Sequence, residues 1–199
     1  MRWRLALLST VAALAGGLSS YALMHWWPVP PSASSVSPVP EISTLTARLG
    51  EPVPHFALAD LEGQIIHFPH HFTGQMLLIN IWASWCAPCV EEIPELARFA
   101  ATQDESGVQV VGIALDHQPA VRDFMQRIAV PYLVVLELPG ANDASVTLGN
   151  EQGLLPYSVL IDRQGHLLKQ KLGPFRRGEV EQWVKLAINN NDSDANEND

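Results

Sequence analysis

Short apolar runs that alternate with helix-patterned segments predict an α/β domain built on a central mixed β-sheet. Three observations carry this expectation. Met76–Trp82, Val108–Leu115 and Tyr132–Leu136 are nearly continuous apolar runs, as strands covered on both faces require. Between them, Ile93, Leu96, Ala97 and Ala100, and then Val121, Phe124, Met125 and Ile128, recur at helical spacing. After them come a hairpin signal and one more helical pattern. Strand, helix, strand, helix, strand, hairpin, helix is the order of a sheet flanked by helices.

The domain begins near Leu49. Phe56-Ala57-Leu58 and Gln64–Phe68 flank Asp60-Leu61-Glu62-Gly63, a turn signal, and so read as an N-terminal hairpin. The first helix follows Met76–Trp82, and Pro94 is expected to bend it. Residues 137–153 read as loop, with a short helix near Ala144–Leu148. Tyr157–Ile161 and His166–Lys171 bracket Asp162-Arg163-Gln164-Gly165, a second hairpin signal. Val180, Trp183, Val184 and Ala187 supply the apolar face of the closing helix, which sets the domain at residues 49–188. The last eleven residues, 189–199, hold four acids among Asn and Ser. They have no apolar periodicity and read as a disordered acidic tail.

The segments before the domain set the expected compartment. Arg2 and Arg4 form a short basic head. From Leu5 to Trp27, a 23-residue stretch, no Asp, Glu, Lys or Arg occurs. That length spans a bilayer as a helix. Trp26 and Trp27 close it, as aromatic residues do at a membrane interface. Residues 1–27 therefore read as an N-terminal anchor with its basic end in the cytoplasm. The alternative is a cleaved signal segment, with Ala13-Leu14-Ala15 as an early small-x-small exit. In either case the domain is exported. Residues 28–48, with prolines at 28, 30, 31, 38 and 40, read as a spacer. The net charge of −9 argues against nucleic acid as a partner.

The chemistry is concentrated in Trp85-Cys86-Ala87-Pro88-Cys89. These are the only two cysteines among 199 residues. They sit where a buried strand gives way to a helix. A helix start carries unpaired N–H groups and the positive end of the dipole, which favours a thiolate. The thiolate is the attacking species in disulfide exchange. Cys86, before the helix proper, is the expected exposed nucleophile. Cys89, inside the first turn, is the expected buried resolving thiol. Pro88 suits a helix start, where its missing N–H costs nothing. A purely structural disulfide is a poor alternative, since closing so short a loop is worth roughly 2 kcal/mol. Half of a zinc site is another, but zinc wants four ligands and only His67, His70 and His71 could join by accident of folding. No histidine is assigned a role; His117, beside Asp116 at a strand end, is the least implausible.

Glu92 lies three residues after Cys89 and points down the same side of the helix. A carboxyl buried there would have a raised pKa and could carry a proton for Cys89. The plainer alternative is a first-turn acid that complements the helix dipole, a role that Glu91 fits better.

The run Trp82-Ala83-Ser84-Trp85-Cys86-Ala87-Pro88-Cys89-Val90-Glu91-Glu92-Ile93-Pro94 resembles the membrane-anchored TlpA/ResA-like branch of the thioredoxin superfamily. The resemblance covers roughly Leu49 to Ile188. It implies a thioredoxin-like fold with an added N-terminal hairpin. It also implies thiol-disulfide oxidoreductase activity through Cys86 and Cys89, with no cofactor beyond that redox-active disulfide and no metal. A functional glutamate at position 92 and a cis Leu155–Pro156 bond against the active disulfide follow from the same resemblance. Trp85, Ala87, Pro88 and Leu155 are the candidate client-contacting residues. The family often has Thr after the proline, whereas this chain has Tyr157-Ser158. The partners implied are exported proteins with cysteine pairs and a membrane thiol-disulfide electron donor at the bacterial inner membrane. Apocytochrome cysteines, in cytochrome c maturation, and copper-site cysteines are among the clients implied. A copper metallochaperone that uses the same pair is the alternative from another class, but such carriers space their cysteines Cys-x-x-x-Cys and add a histidine. A peroxidase would need a Pro-x-x-x-Thr-x-x-Cys site, which is absent.

Overall fold

The computed structural model describes residues 46–196 except 105. The expected N-terminal anchor and nearly all of the spacer lie outside the described residues, as do residues 197–199. Among the described residues no helix is long and apolar enough to cross a membrane.

The first hairpin pairs β1 (Phe56–Asp60) with β2 (Ile65–Phe68) in antiparallel register. Its turn is held by Asp60, whose Oδ1 accepts from Glu62 N at 2.9 Å and Gln64 N at 2.8 Å. Gly63 adopts φ +84°, which this turn demands and side chains resist. Next come β3 (Met76–Trp82), α1 (Ala87–Ala101), β4 (Val108–Leu115), α2 (Gln118–Arg127) and β5 (Leu133–Glu137). The chain ends with α3 (Ala144–Thr147), β6 (Tyr157–Ile161), β7 (Leu167–Leu172) and α4 (Glu179–Asn196). Among the described residues, every segment expected to be regular is so, with boundaries moved by a residue or two except at the end of α4.

The seven strands lie in the order β2-β1-β5-β4-β3-β6-β7. β3, β4 and β5 are parallel neighbours; all other pairs are antiparallel. The sheet is therefore mixed, and the added hairpin docks on it through β1 and β5.

Alternation along β3 divides the core. Leu77, Ile79 and Ile81 join Val111, Ile113, Val135 and Val159 in a cluster closed by Val53, Phe72 and Leu148. Met76 and Leu78 face the other way, against Leu96, Phe99 and Val184 of α1 and α4. Trp82 joins Cys89, Ile93, Val121 and Phe124. Burial of this apolar surface, at about 25 cal/mol per Å², holds the layers together.

The closing helix does not stop at Ile188 but continues to Asn196, into the run expected to be disordered. Docking through Val180, Trp183, Val184 and Ala187 has already met the cost of nucleation. Each further residue then needs only propagation, and no Gly or Pro interrupts the run.

Candidate active site

β3 is the only strand that leads directly into the cysteine pair, so its end sets the position of the site. Past Trp82 the chain turns through Ala83-Ser84-Trp85, with Cys86 N donating to Ala83 O at 3.1 Å. A second tie fixes this turn. Ser84 donates to Asp116 Oδ2 from its N–H at 3.2 Å and from its hydroxyl at 2.5 Å. Asp116 is buried at the end of β4, and its Oδ1 accepts from His117 N at 2.7 Å. Of the pair Asp116-His117, then, the carboxylate serves the site; His117 is exposed and precedes α2. An acid directly after an apolar strand was the signal for this.

Cys86 is the N-cap of α1, and its Sγ accepts from Cys89 N at 3.3 Å. The two cysteines are disulfide-bonded, with Cα atoms 5.3 Å apart. Cys89 is 0% exposed, as expected of a resolving thiol. Cys86, expected to be exposed, is only 6% so. In the disulfide its sulfur is turned onto Cys89 and into the cluster of Trp82, Ala83 and Ile93. The order of accessibility between the two holds; the degree does not. Around them Trp85 is 67% exposed, and Ala87 and Pro88 are exposed as well. Leu155 packs, half-buried, against the cysteine cluster, and Pro156 is buried behind it. The Leu155–Pro156 bond is cis. Leu154, which the sequence reading passed over, is an exposed apolar side chain beside it.

Glu92 is 1% exposed. Its Oε1 accepts from Asn80 Nδ2 at 2.8 Å, and its Oε2 accepts from Phe175 N at 2.8 Å, in the loop after β7. Burial pushes its carboxyl up from the ordinary 4.5 to about 7, against the lowering effect of those two hydrogen bonds and of Lys171. Glu91, by contrast, is exposed. Two groups on this carboxyl's path were missed. Asn80 is the one polar residue in β3, and that break in an apolar run was its signal. Ser158 Oγ accepts from the same Asn80 Nδ2 at 3.0 Å. Among the described residues, no group of three His, Cys, Asp or Glu could hold a metal ion.

A cysteine pair joined at a helix start, both sulfurs buried beneath an exposed rim of Trp85, Ala87 and Pro88, is suited to disulfide exchange. Comparison with known proteins agrees. The Redoxin family profile matches residues 48–186. The chain belongs to the Redoxin family. Within that family, it is 28% identical over 139 residues to the thiol-disulfide oxidoreductase ResA of Bacillus thuringiensis subsp. konkukian (strain 97-27), covering 69% of this chain and 78% of that protein. It is 34% identical over 137 residues to the thiol:disulfide interchange protein DsbE of Allochromatium vinosum, covering 68% and 71%. Among solved structures, a thioredoxin-related protein from Neisseria meningitidis serogroup B superposes with a TM-score of 0.58 at 28% identity, covering 66% of this chain and 98% of that one. This Redoxin chain has the thioredoxin-like fold and is a thiol-disulfide oxidoreductase with its Cys86–Cys89 pair joined as a disulfide.

Proposed function

We propose that this oxidoreductase is held at the bacterial inner membrane by residues 1–27, faces the periplasm, and reduces disulfides in exported client proteins. The observation that carries the catalytic part is the buried Glu92 carboxyl, one helical turn beyond the buried Cys89 and ionising near neutral pH. The Cys86 thiolate attacks one sulfur of a client disulfide. The client S–S bond breaks, a mixed disulfide forms, and the released client thiolate takes a proton from water. Cys89 then gives its proton to the Glu92 carboxylate, and its thiolate attacks Cys86 Sγ. The mixed disulfide breaks and the second client thiolate leaves and is protonated. The client has gained two electrons and two protons, and the pair ends as the Cys86–Cys89 disulfide. A membrane thiol carrier returns two electrons to it.

Trp85, Ala87, Pro88 and Leu155 form the surface on which a client rests. The exposed Trp85 ring and the half-buried Leu155 offer apolar contact beside the sulfur atoms. The reductive direction and the client classes, apocytochrome or copper-site cysteines, rest on the TlpA/ResA-like motif run.

The test is a pair of variants in cells. Cys89→Ser is expected to accumulate mixed disulfides through Cys86, and Cys86→Ser to be inert. Membrane fractions should hold the full-length chain with Met1 or Arg2 at its N-terminus. A Cys89→Ser protein that traps no client, or a wild type found fully oxidised whether or not its membrane reductant is present, would overturn the reductive reading.

A further inference from the structure

β3 reads Met-Leu-Leu-Ile-Asn-Ile-Trp, and every residue in it is buried. A single amide in such a strand has a cost. Asn80 Oδ1 is buried without a hydrogen-bond partner. A leucine or methionine would fill the same position between Leu78 and Trp82 with no such orphan. Packing alone therefore gives no reason for Asn80.

Its contacts do. Nδ2 donates to Glu92 Oε1 at 2.8 Å and to Ser158 Oγ at 3.0 Å. The sheet register brings these groups together: Asn80 lies opposite Gly112 on β4 and Ser158 on β6, and Ser158 lies opposite Lys171 on β7. Both amide hydrogens are thus spent, and the Glu92 carboxylate, which when ionised only accepts, fixes which way the amide faces. Turned over, it would present a carbonyl oxygen to the ionised carboxylate and lose the bond to Glu92, while the Ser158 hydroxyl would still donate to it. The carboxylate keeps the amide a donor, and a donor favours the ionised form of Glu92 over the neutral acid.

We propose that Asn80, hydrogen-bonded to Ser158, is a positioning residue for thiol exchange that holds the Glu92 carboxyl ready to accept the Cys89 proton. This rests on the reading of Glu92 as that acceptor. The other groups that face this carboxyl come from three elements. Lys171 of β7 and Glu179 of α4 bear on it with opposite sign, and they pair with each other at 2.8 Å. Tyr132, just before β5, has a buried hydroxyl without a partner; burial first and Glu92 second raise its pKa, so it stays neutral. None of these donates a hydrogen bond to Glu92 in place of Asn80; the remaining donor is the Phe175 backbone.

Two readouts separate this proposal from the reading beneath it. The first is the titration of the ¹³C-labelled Glu92 carboxyl by NMR in the oxidised protein. The second is the pH profile of the resolving step, measured as release of a client peptide from its mixed disulfide with Cys86. Asn80→Ala is expected to raise the carboxyl midpoint from about 7 by roughly one pH unit or more, the size expected for losing a hydrogen bond to a charged group, and to move the profile alkaline with it. Ser158→Ala removes one hydroxyl and is the milder variant should Asn80→Ala fold poorly; it should move both the same way by less. With Glu92→Gln in place, Asn80→Ala should leave the profile where it stands. An unmoved carboxyl midpoint in both variants would overturn the proposal, as would a profile shift that persists when residue 92 is Gln. If the carboxyl moves but the profile ignores Glu92→Gln itself, Glu92 is not the acceptor, and the role of Asn80 in exchange falls with it.

Discussion

The two faces of the sheet are made by the same strands and do different work. On one, Leu77, Ile79 and Ile81 of β3 meet Val111, Ile113, Val135 and Val159, and the polar atom that enters, the Tyr157 hydroxyl, is satisfied by Leu148 O at 3.1 Å. On the other, beneath α1 and α4, the same strand offers Asn80 between Leu78 and Trp82. There Asn80 Oδ1, Trp82 Nε1 and the Tyr132 hydroxyl are buried without partners, and a carboxyl is held near neutrality. A strand that alternates its side chains can give one face wholly to cohesion and let the other carry groups that cohesion alone would reject.

Four substitutions test that contrast, in falling order of effect. Ile79→Ala on the apolar face should cost about 4 kcal/mol, transfer and cavity together, and the loss should be the same at every pH. A loss in urea denaturation that varied with pH would mean the face is not purely apolar in its function.

Glu92→Gln should behave in the opposite manner. The folded carboxyl titrates near 7 and the unfolded one near 4.5, so the folded state holds the proton more tightly. Stability contributed by this group is full below 4.5 and is lost as pH rises to 7, by about 3 kcal/mol. Across that window the stability of Glu92→Gln relative to the parent should therefore rise by about that amount. A difference that stays flat from pH 4 to pH 8 would show that Glu92 titrates normally.

Gly112→Ala probes the space on the polar face. A Cβ there would come 2.8 Å from Trp82 Nε1 and 3.2 Å from Tyr132 Cε2, both parts of large buried rings. Overpacking of this kind costs about 2 kcal/mol, and Trp82 fluorescence should change with it. An alanine accepted at no cost would mean that the rings have room to move.

The smallest effect is expected from Ser84→Ala, which removes a hydroxyl bond to Asp116 and should cost about 1 kcal/mol. It should also raise hydrogen exchange at the turn before Cys86. Unchanged exchange would show that the Ser84 backbone bond alone fixes the turn.

What the sequence discloses follows a physical line. Strands, helices and turns are set by neighbours in the chain, so the runs at 76–82 and 108–115, the two hairpins and the helix start at Cys86 are legible from residues alone. The position of Glu92 is legible for the same reason, one turn from Cys89. Its partners are not. Asn80, Ser158 and the Phe175 N–H meet only after β3, β6 and the loop past β7 have assembled, and no local pattern predicts which donor reaches which oxygen. The docking of β1 on β5 is of the same kind. The burial of Cys86 escaped because its sulfur takes its surroundings from the closed disulfide. The extension of α4 escaped because composition describes residues 189–196 in isolation, whereas helix propagation depends on what precedes them.

The hydrogen bond from Phe175 to Glu92 bears on the order in which the site is assembled. A chain that leaves the ribosome N-terminus first presents both cysteines early. The β3–α1 unit can carry the reactive pair before the rest exists. The peptide N–H that holds Glu92 Oε2, and the α4 residues Val180, Trp183 and Val184 that close the α1 side of the core, arrive at the end. The thiols and Glu92 are thus delivered before the N–H that holds Glu92 Oε2, and a chain released short of Phe175 would carry the cysteine pair and the acid without that hydrogen bond.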